Sequence, residues 1–368
     1  MKPRIVILSA FLTPFRSGAE ACAEEVPLAL VDQYDFTIVT ARGRRSLPKR
    51  DRLQGKIDVV RVGLGFGLGI DKWLFPFLAP FAVRRLQPQI IHAVLETFAG
   101  LALVFCRWTF PSAKRMLTLQ TTNRSFLKGM IVRSADQVTA ISSVLINKAA
   151  ELGRSDAVLI PNGIPLTAIH SAVEKNKRVS GRVLFVGRLE KVKGVDVLLK
   201  AFAMTLDDLK KANITKDALL RIAGDGSQRR SLENLARQLN IADRVTFLGY
   251  VPSPQIYDEY AQAEIFCGLS RSEAFGNVFL EAQAAGCVTI FTQVGGISDI
   301  HTHGKAAWGV QPDDVEGTKE ALRAFLLDEE GIRTQFAAKA QSHAQAYDWH
   351  SIAARYGSLY DRLLSRTS

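Results

Sequence analysis

The chain has 368 residues, of which 47% are hydrophobic and 23% are charged, enough to form two domains of ordinary size. Its balanced composition and the lack of long Ser, Gln or Pro tracts exclude extended disorder, and no run of 18 uninterrupted apolar residues predicts a membrane-spanning helix. The four cysteines form no CxxC pair, so we expect reduced thiols and a cytoplasmic location.

The net charge of +11 is concentrated in the first half of the chain. Residues 1–165 contain 22 Lys and Arg against 12 Asp and Glu, whereas residues 166–368 contain 25 against 24. Such a one-sided excess indicates that the first domain meets an anionic partner, such as a membrane surface, a phosphorylated lipid or nucleic acid. The alternative is a solvated basic face.

Both halves of the chain open with an apolar strand, a loop that contains glycine and a helix-like segment. The first opening begins at Ile5 and the second at Val183. The basic residues before Ile5 give the outline of a secretory signal, but no cleavage site follows promptly, so we expect a buried first strand. Further apolar runs predict strands at 36–40, 57–62, 89–94, 115–119, 137–141, 157–162, 219–224, 244–249, 263–270 and 288–292.

Helix-like stretches such as 231–240 and 278–286 separate these strands. The alternation predicts an α/β fold of two Rossmann-like, doubly wound domains facing across a cleft. The sequence PNGIP at 161–165 and the polar stretch EKNKRVSGR after it predict a connector near 161–180 that contains a hinge. Ligands of open parallel sheets bind beyond the carboxyl ends of the strands, so we expect the chemistry there.

An apolar segment in the first half, WLFPFLAPFAV at 73–83, precedes Arg84 and Arg85. It follows the stretch GLGFGLG at 63–69, whose glycine spacing predicts a mobile loop. Apolar residues with basic flanks can rest on an anionic bilayer and admit a lipid-linked acceptor, so we hypothesise peripheral association with the inner face of the cell membrane. The alternative is a core helix that covers the first sheet.

The loop GRLEKVKG places Arg188 and Lys193 between a strand and the start of a helix. Exposed amides and the helix dipole favour an anion at such a place, and the two cations add to the attraction. The loop matches neither the P-loop nor the GxGxxG pattern. It predicts a phosphate site, with a basic loop that faces solvent as the alternative.

The segment EAFGNVFLE contains two carboxylates, Glu273 in a loop and Glu281 about one turn into a helix. Glu281 can accept hydrogen bonds from a diol such as ribose, and the amides of residues 275–278 form a second helix start that favours anions. No DxD pair is present, and the pair His301 and His303 has no third ligand nearby, so no metal or other cofactor is expected.

These segments resemble the nucleotide-sugar-dependent retaining glycosyltransferases of family 4, which have the two-domain GT-B fold. The matching segments follow one another through most of the chain: SGAE (17–20), AISSVLINKAAELG (140–153), IPNGIPL (160–166), VGRLEKVKGVDVLLKAF (186–202), RIAGDGSQRRSLENLA (221–236), RVTFLGYV (244–251), SEAFGNVFLEAQAAGC (272–287) and QVGGISDI (293–300). The stretch from Tyr347 resembles the closing helix of this fold. The resemblance implies an acceptor-binding domain at 1–165, a nucleotide-sugar domain at 166–349, and a helix at 350–368 that packs on the first domain.

The resemblance also implies roles for individual residues. Arg188 and Lys193 would hold the donor diphosphate, Glu273 would contact the transferred sugar, and Glu281 would bind the ribose. The further donor-binding residues that it implies are Gly18, Gly224, Tyr250, Val251, Phe275, Gly276, Asn277 and Val278. Departure of the diphosphate without a metal follows, because fixed cations can stabilise the charge that develops on it.

One position departs from the family pattern. Relatives carry a histidine that reaches the donor sugar, where this chain has Gln120. Glutamine can hydrogen-bond a sugar hydroxyl but cannot become a cation, so Gln120 is a candidate catalytic residue of altered character. His92 is a candidate to take the place of that histidine, with a packed structural role as the alternative.

The resemblance therefore implies a retaining hexosyltransferase, and the fixed cations together with the lack of a DxD pair predict that it is independent of metal. The donor would be a nucleotide diphosphate sugar, with UDP favoured and GDP as the other candidate. The acceptor would be a glycan or a lipid-linked molecule in the synthesis of cell-surface polysaccharide, lipopolysaccharide or glycolipid. A non-catalytic nucleotide-sugar sensor is the alternative, because of Gln120. Nucleic acid is not an expected partner, since no RNA-binding or DNA-binding motif is present.

Overall fold

The structure, a computed structural model, describes residues 2–15, 18, 20–123, 125–214, 217–301, 304, 306–328 and 331–365. The chain divides into two compact units. The first joins Met1–Gly163 to Trp349–Ser368, and the second is Ile164–Asp348. The sequence placed the corresponding boundaries at residues 165 and 349.

The first unit contains an eight-stranded sheet. Its strands are β1 (Arg4–Leu8), β2 (Asp35–Ala41), β3 (Arg50–Leu53), β4 (Ile57–Val62), β5 (Ile90–Val94), β6 (Lys114–Leu119), β7 (Gln137–Ala140) and β8 (Val158–Leu159). They lie in the order β3-β4-β2-β1-β5-β6-β7-β8, with β3 antiparallel to β4 and the other neighbours parallel. The helices between them are α1 (Ala21–Ala29), α2 (Leu68–Leu86), α3 (Phe98–Thr109), α4 (Lys128–Ser134) and α5 (Ser143–Glu151).

The second unit contains a six-stranded parallel sheet in the order β11-β10-β9-β12-β13-β14. Its strands are β9 (Arg182–Val186), β10 (Leu219–Ala223), β11 (Val245–Gly249), β12 (Ile265–Gly268), β13 (Val288–Thr292) and β14 (Trp308–Val310). Its helices are α6 (Leu166–Lys175), α7 (Val195–Lys211), α8 (Arg229–Gln238), α9 (Gln255–Gln262), α10 (Asn277–Ala284), α11 (Ile297–Ile300), α12 (Val315–Leu327) and α13 (Ile332–Ala344). The last helix, α14 (Trp349–Ser365), belongs to the first unit.

The central strands are buried along their whole length because helices cover both faces of each sheet. Every residue of β5 (IIHAV) and of β13 (VTIFT) is buried. Continuous apolar runs are what a parallel sheet with two covered faces requires. The predicted α/β fold class with two Rossmann-like domains is therefore confirmed.

Two edge strands were absent from the predicted set. Strand β3 has the sequence RDRL, which carries no apolar run, and it is held to β4 partly by the ion pair of Arg52 with Asp58 at 2.8 Å. Charged residues are common on edge strands because they discourage pairing with another chain. Strand β14 has three residues, too few to show a period in the sequence.

The glycine-rich loop before α2 is held in place by a buried carboxylate. The side chain of Asp71, in the first turn of α2, accepts hydrogen bonds from the backbone N–H groups of Gly43 (2.9 Å), Leu64 (2.9 Å) and Gly65 (2.8 Å). Asp71 is fully buried. The loop for which the sequence predicts mobility is thus tied at Leu64 and Gly65 to the next helix, a contact that glycine spacing does not reveal.

The state of the cysteines and the apolar character of the helices can be compared with what the composition predicts. All four cysteines are free and buried, and burial raises the pKa of the Cys287 thiol to about 11. Among the described helices, none combines the length and apolar character needed to cross a membrane.

Helix α14 packs into the core of the first unit through Trp349, Ile352 and Tyr356, together with Tyr360. Tyr360 also lies 2.7 Å from Nδ1 of His92, whose Nε2 lies 2.7 Å from the Thr118 hydroxyl. His92 is completely buried, and desolvation lowers its pKa to about 3. The structure favours the structural alternative for this residue, since both ring nitrogens are occupied within the core.

The pKa of His92 predicts a pH dependence of stability. An unfolded histidine takes up a proton below about pH 6.5, whereas folded His92 stays neutral down to about pH 3. The unfolded state therefore binds more protons in this window, so the contribution of His92 is complete above pH 6.5 and is lost as the pH falls towards 3. We expect His92→Gln to reduce the pH dependence of the unfolding midpoint between pH 6.5 and pH 4.

The measurement is thermal unfolding of both forms across this range. His350→Gln, which changes an exposed histidine of α14, the helix whose Tyr360 contacts His92, serves as the control and should follow the wild-type profile. At pH 7 the His92→Gln variant should be less stable by about 1–3 kcal/mol, because the hydroxyls of Tyr360 and Thr118 lose a well-placed partner. A profile of His92→Gln parallel to that of the wild type would contradict the assignment.

Candidate functional site

A pocket of about 250 Å³ lies at the carboxyl ends of β9, β10 and β11 in the second unit. Its lining includes Gly187 and Arg188 after β9, Gly224 after β10, and Tyr250 and Val251 after β11. Pockets for whole drug-sized ligands are larger, at roughly 300–1,000 Å³. The volume is therefore suited to one ring system of a larger ligand.

The loops around this pocket approach one another through their backbones. The N–H of Gly224 donates to the carbonyl of Gly249 at 2.7 Å, and the N–H of Gly187 donates to the carbonyl of Ala223 at 3.0 Å. Gly224 has φ +144°, and a Cβ added to it would lie 1.8 Å from the carbonyl oxygen of Gly187. Glycine is required at this position because no side chain fits.

The loop that follows β9 carries Arg188, whose side chain is exposed. Within the described part of the chain, its guanidinium makes no hydrogen bond or close ion pair. The loop itself is fixed: Leu189 donates its N–H to the carbonyl of Asp225 at 2.9 Å, and Glu190 accepts from the Ser227 hydroxyl at 2.6 Å and from the Ser227 N–H at 3.1 Å. An exposed cation on an ordered loop is available to a ligand.

These contacts also perturb the carboxyl group next to Arg188. Hydrogen bonds from Ser227 lower the pKa of Glu190, and the positive charge of Arg188 contributes to the same shift. Glu190 is therefore held as a carboxylate that ties the β9 loop to the loop after β10.

Lys193 lies at the end of a short 3-10 helix, Lys191–Lys193, just before α7. Its ammonium forms an ion pair with the carboxylate of Glu273, and both side chains are largely buried, with 19% and 16% exposed. The Ser270 hydroxyl donates to the same carboxylate at 3.3 Å. The sequence proposed separate roles for Lys193 and Glu273, and the structure brings them together. An ammonium has three donors, so Lys193 can bind Glu273 and an anion at once.

The backbone of Glu273 is held by the loop after β13. Its carbonyl accepts the N–H of Gly296 at 3.0 Å, and a Cβ on Gly295 would lie 2.2 Å from that oxygen. Neither this support nor the contact from Ser270 could be predicted from the sequence. The paired glycines of QVGG were the available signal, but adjacent glycines do not identify the carbonyl that they approach.

Helix α10 begins at Asn277, after Gly276, whose φ of +95° makes it the left-handed residue before the first turn. The backbone of Asn277 and Val278 forms the first turn of the helix, whose N–H groups lack partners from within the helix. Phe275 is buried, so its side chain belongs to the core. The predicted anion-binding role at this helix start therefore concerns backbone groups.

Glu281, in the same helix, is half-buried, and one of its oxygens accepts a hydrogen bond from the Tyr260 hydroxyl at 3.0 Å. Burial and the charge of Glu281 together raise the pKa of Tyr260. Tyr260 was not among the predicted residues. It fixes the orientation of a carboxylate for which the sequence implies ribose binding.

Two of the predicted donor-binding residues lie at the rim of the pocket and differ in exposure. Tyr250 is 75% exposed, whereas Val251 is half-buried, and both line the pocket. Gly18, in the first unit, is exposed, but its neighbours Ser17 and Ala19 lie outside the described residues. The roles of these residues stay predictions.

Gln120, at the end of β6 in the first unit, is buried with 3% exposed. Its side-chain amide pairs with that of Asn162 in both directions, at 3.1 Å and 3.0 Å. Its backbone N–H donates to the carboxylate of Glu96 at 2.9 Å. The described conformation thus directs the Gln120 amide to another side chain, and its catalytic role stays a prediction.

A buried ion pair that the sequence analysis missed lies next to Gln120. Lys128 donates to Glu96 at 2.8 Å and to the carbonyls of Thr121 (2.8 Å) and Asn123 (3.2 Å). Glu96 also accepts the N–H of Thr121 at 3.1 Å. Both charged side chains are at most 5% exposed, so their hydrogen bonds offset the cost of burial and fix the loop after β6. Nothing in the sequence marks two residues so far apart as partners.

Of the two histidines considered as metal ligands, His301 and His303, the structure describes the first. His301 is buried, its Nδ1 lies 3.2 Å from the Gln283 amide nitrogen, and desolvation lowers its pKa to about 3. His303 lies outside the described residues. Among the residues that are described, no three His, Cys, Asp or Glu side chains are grouped as metal ligands would be.

Two family models match consecutive parts of the chain. The one described as glycosyltransferase family 4 matches residues 16–168, and the one described as glycosyl transferases group 1 matches residues 167–343. The chain is 34% identical over 202 residues to a D-inositol 3-phosphate glycosyltransferase of Corynebacterium urealyticum, an alignment that covers 55% of this chain and 45% of the relative. The chain spans about half the length of the curated relatives that it matches.

Solved structures with the same fold cover almost the whole chain. Sucrose-phosphate synthase from Thermosynechococcus elongatus superposes with a TM-score of 0.83 at 21% identity, covering 99% of this chain and 100% of that one. Anabaena HepE, solved in complex with UDP and glucose, superposes with a TM-score of 0.76 at 18% identity, covering 98% and 100%. The two family models, which together span residues 16–343, confirm the predicted family, and the structural likeness confirms the predicted fold class.

The close backbone approach at Gly224 leads to a stability prediction. We expect Gly224→Ala to destabilise the second unit more than Gly331→Ala, although both glycines have positive φ. A Cβ at Gly331 has no described atom within 4 Å, so this variant carries only the backbone strain of about 1–2 kcal/mol. A Cβ at Gly224 adds a collision with Gly187.

Thermal or urea unfolding of the two variants measures the difference. Equal stability of the two variants would contradict the described packing.

Proposed function

Because the chain belongs to the family 4, group 1 glycosyltransferases, we propose that it transfers a hexose from a nucleotide diphosphate sugar to a glycan or lipid-linked acceptor. The observation that carries the proposal is the pair of Lys193 and Glu273 in the same unit as the pocket that Arg188 lines. These groups give one unit a cation for phosphate, a carboxylate for sugar hydroxyls and a pocket for a base.

The donor would be bound by parts of the second unit. The pocket would take the base, with Tyr250 and Val251 at its rim, and Glu281 would accept hydrogen bonds from the ribose. Arg188 and Lys193 would hold the diphosphate. We favour a UDP-sugar, supported by the likeness to HepE, which was solved with UDP and glucose. A GDP-sugar is the other candidate.

The chemistry that we propose is cation-assisted departure of the nucleoside diphosphate. Negative charge grows on the diphosphate as the glycosidic bond breaks, and cations fixed in advance stabilise that charge without reorganisation. Arg188 and Lys193 can supply this stabilisation, so no metal is needed in the proposed reaction.

We further propose that the transfer retains the anomeric configuration of the donor. Glu273 is held by Lys193 and Ser270, which suits a carboxylate that orients sugar hydroxyls better than one that attacks carbon. We therefore propose that the acceptor attacks from the face that the diphosphate leaves, as in the family that the sequence resembles.

The acceptor and the cellular setting are proposed from the charge of the first part of the chain. Its basic excess supports a partner with anionic groups, and we propose a role in the synthesis of cell-surface polysaccharide, lipopolysaccharide or glycolipid at the cytoplasmic face of a membrane. The second candidate function is a non-catalytic nucleotide-sugar sensor, which is favoured by the pairing of the Gln120 amide with Asn162.

The test begins with a panel of UDP-, GDP- and ADP-hexoses. A donor present at 100 times its dissociation constant should stabilise the protein by about 2.7 kcal/mol, which a thermal shift detects. Release of the nucleoside diphosphate from the selected donor is then measured with and without chelator, and the product anomer is determined by NMR. Binding without turnover supports the sensor, inversion contradicts the retaining mechanism, and loss of activity with chelator contradicts metal independence.

The diphosphate assignment predicts the effect of two substitutions. Arg188→Ala and Lys193→Ala should each lower turnover by roughly 10² to 10³-fold, the scale for loss of one group that stabilises developing charge. Steady-state rates with the selected donor measure the effect. The control is Lys191→Ala, which removes an exposed lysine from the same loop and should retain activity. Wild-type rates in both test variants would refute the assignment.

A further inference from the structure

Helix α2 has two apolar faces, and one of them is exposed. Phe75, Ala79 and Val83 pack inside the first unit and are completely buried. On the other side, the exposed fractions are 52% for Ile70, 64% for Trp73, 57% for Phe77 and 61% for Phe81. These residues recur at helical spacing, so they form one continuous stripe. One helix therefore has the buried face expected of a core helix and also an exposed apolar face, which a surface-binding segment would need.

Neighbouring elements extend the stripe. Leu64 and Phe66, in the loop before α2, are exposed by 53% and 57%. The ring of Phe77 lies 5.3 Å from that of Phe105 in α3, and Phe105 lies 5.9 Å from Trp108, which is 72% exposed. We call this surface the α2 patch. It consists of Leu64, Phe66, Ile70, Trp73, Phe77, Phe81 and Trp108.

The patch is an ordered surface because its loop is tied to its helix. The buried carboxylate of Asp71 binds the backbone of Leu64 and Gly65 and so fixes the loop that displays Leu64 and Phe66. The ring of Trp73 packs edge-on against Phe98 of α3, with 5.0 Å between the centroids. Contiguous apolar surfaces of this kind mark interaction sites rather than ordinary surface.

Basic side chains stand at both ends of the patch. Arg84 and Arg85 are exposed in the last turn of α2, and Arg84 continues the stripe three residues beyond Phe81. At the other end the guanidinium carbon of Arg45 lies 4.3 Å from the centre of the Phe66 ring. The acidic residue within α2, Asp71, is buried, so the helix adds no exposed negative charge.

We propose that the α2 patch binds the interface of an anionic lipid bilayer. Trp73, Phe77 and Phe81 enter the boundary between headgroups and acyl chains, and the arginines contact lipid phosphates. Aromatic residues with a basic border are typical of interfacial helices. A second copy of the chain fits less well, because a symmetric contact through the patch would bring its arginines together.

The proposal names the surface for the membrane setting of the proposed function, and it depends on residues of the first unit alone. Donor binding by the second unit is therefore a separate property. If the chain bound nucleotide but not lipid, only the membrane proposal would fail. If it bound lipid but not nucleotide, only the proposed donor binding would fail.

The test is co-sedimentation with vesicles of phosphatidylcholine, with or without phosphatidylglycerol, at low and high salt. We expect binding to the anionic vesicles at low salt, weaker binding at high salt and little binding to neutral vesicles. The triple variant Trp73→Ser, Phe77→Ser, Phe81→Ser should lower the partition coefficient at least tenfold. Because these side chains are exposed, the variant should fold, and its UDP-induced thermal shift should match that of the wild type.

A matched pair of charge variants tests the arginines separately. Arg84→Gln with Arg85→Gln removes two adjacent cations from the last turn of α2, and Lys210→Gln with Lys211→Gln removes two from the last turn of α7 in the second unit. We expect the arginine variant to lose binding to anionic vesicles and the lysine variant to keep it. If both variants lost binding equally, net charge alone would attract the protein to the vesicles. That result would overturn the proposal that the α2 patch binds the bilayer.

Tryptophan fluorescence locates the contact. Trp308 and Trp349 are at least partly buried, so in a Trp108→Phe background Trp73 is the most exposed indole. Its emission should shift to the blue with anionic vesicles and be quenched by brominated lipid. The absence of vesicle binding at low salt would overturn the proposal. So would self-association in sedimentation equilibrium that the triple variant abolishes, because a second copy would then cover the patch.

Discussion

The parallel direction of the strands in the second sheet is the constraint on which the candidate site depends. Because β9, β10, β11 and β12 all run the same way, the loops that leave their carboxyl ends gather at one edge. That edge receives Arg188 from β9, Gly224 from β10, Tyr250 from β11 and Glu273 from the loop after β12. Residues far apart in the chain become neighbours without any attraction between them in the unfolded state.

The edge imposes a second requirement, which is that crowded loops have little room for side chains. Gly224 meets the Gly187 carbonyl, and Gly295 meets the carbonyl of Glu273. Because of these close contacts, backbone groups form the walls of the site. The charged side chains of the site are held by polar contacts with other side chains. Glu190 is held by Ser227 and Lys193 by Glu273. The site thus combines a rigid backbone with a few oriented charges, an arrangement that stabilises charge in a reaction with little reorganisation.

The central strands could be predicted from the sequence because they have strong local signals, and the candidate donor residues were identified by motifs. Continuous apolar runs such as VTIFT identify buried parallel strands, and the ordered motifs around Arg188 and Glu273 are specific to a family. The buried polar partnerships were not predictable. Asp71 binding the loop backbone and Lys128 binding Glu96 depend on contacts that tertiary structure creates. A lone carboxylate in an apolar helix gives no sign in the sequence of the amides that it will meet.

The exposed stripe of α2 shows a further limit of periodicity. A helix that is apolar on both sides has little amphipathic pattern, so its sequence is equally compatible with complete burial and with one face left open. Which face the first unit covers is decided by packing, here by Phe75, Ala79 and Val83. The remaining aromatic side chains are then exposed beside arginines, a costly arrangement in water unless another apolar phase receives them. Part of the basic excess of the first 165 residues, Arg84 and Arg85 among it, lies beside this exposed apolar stripe of α2.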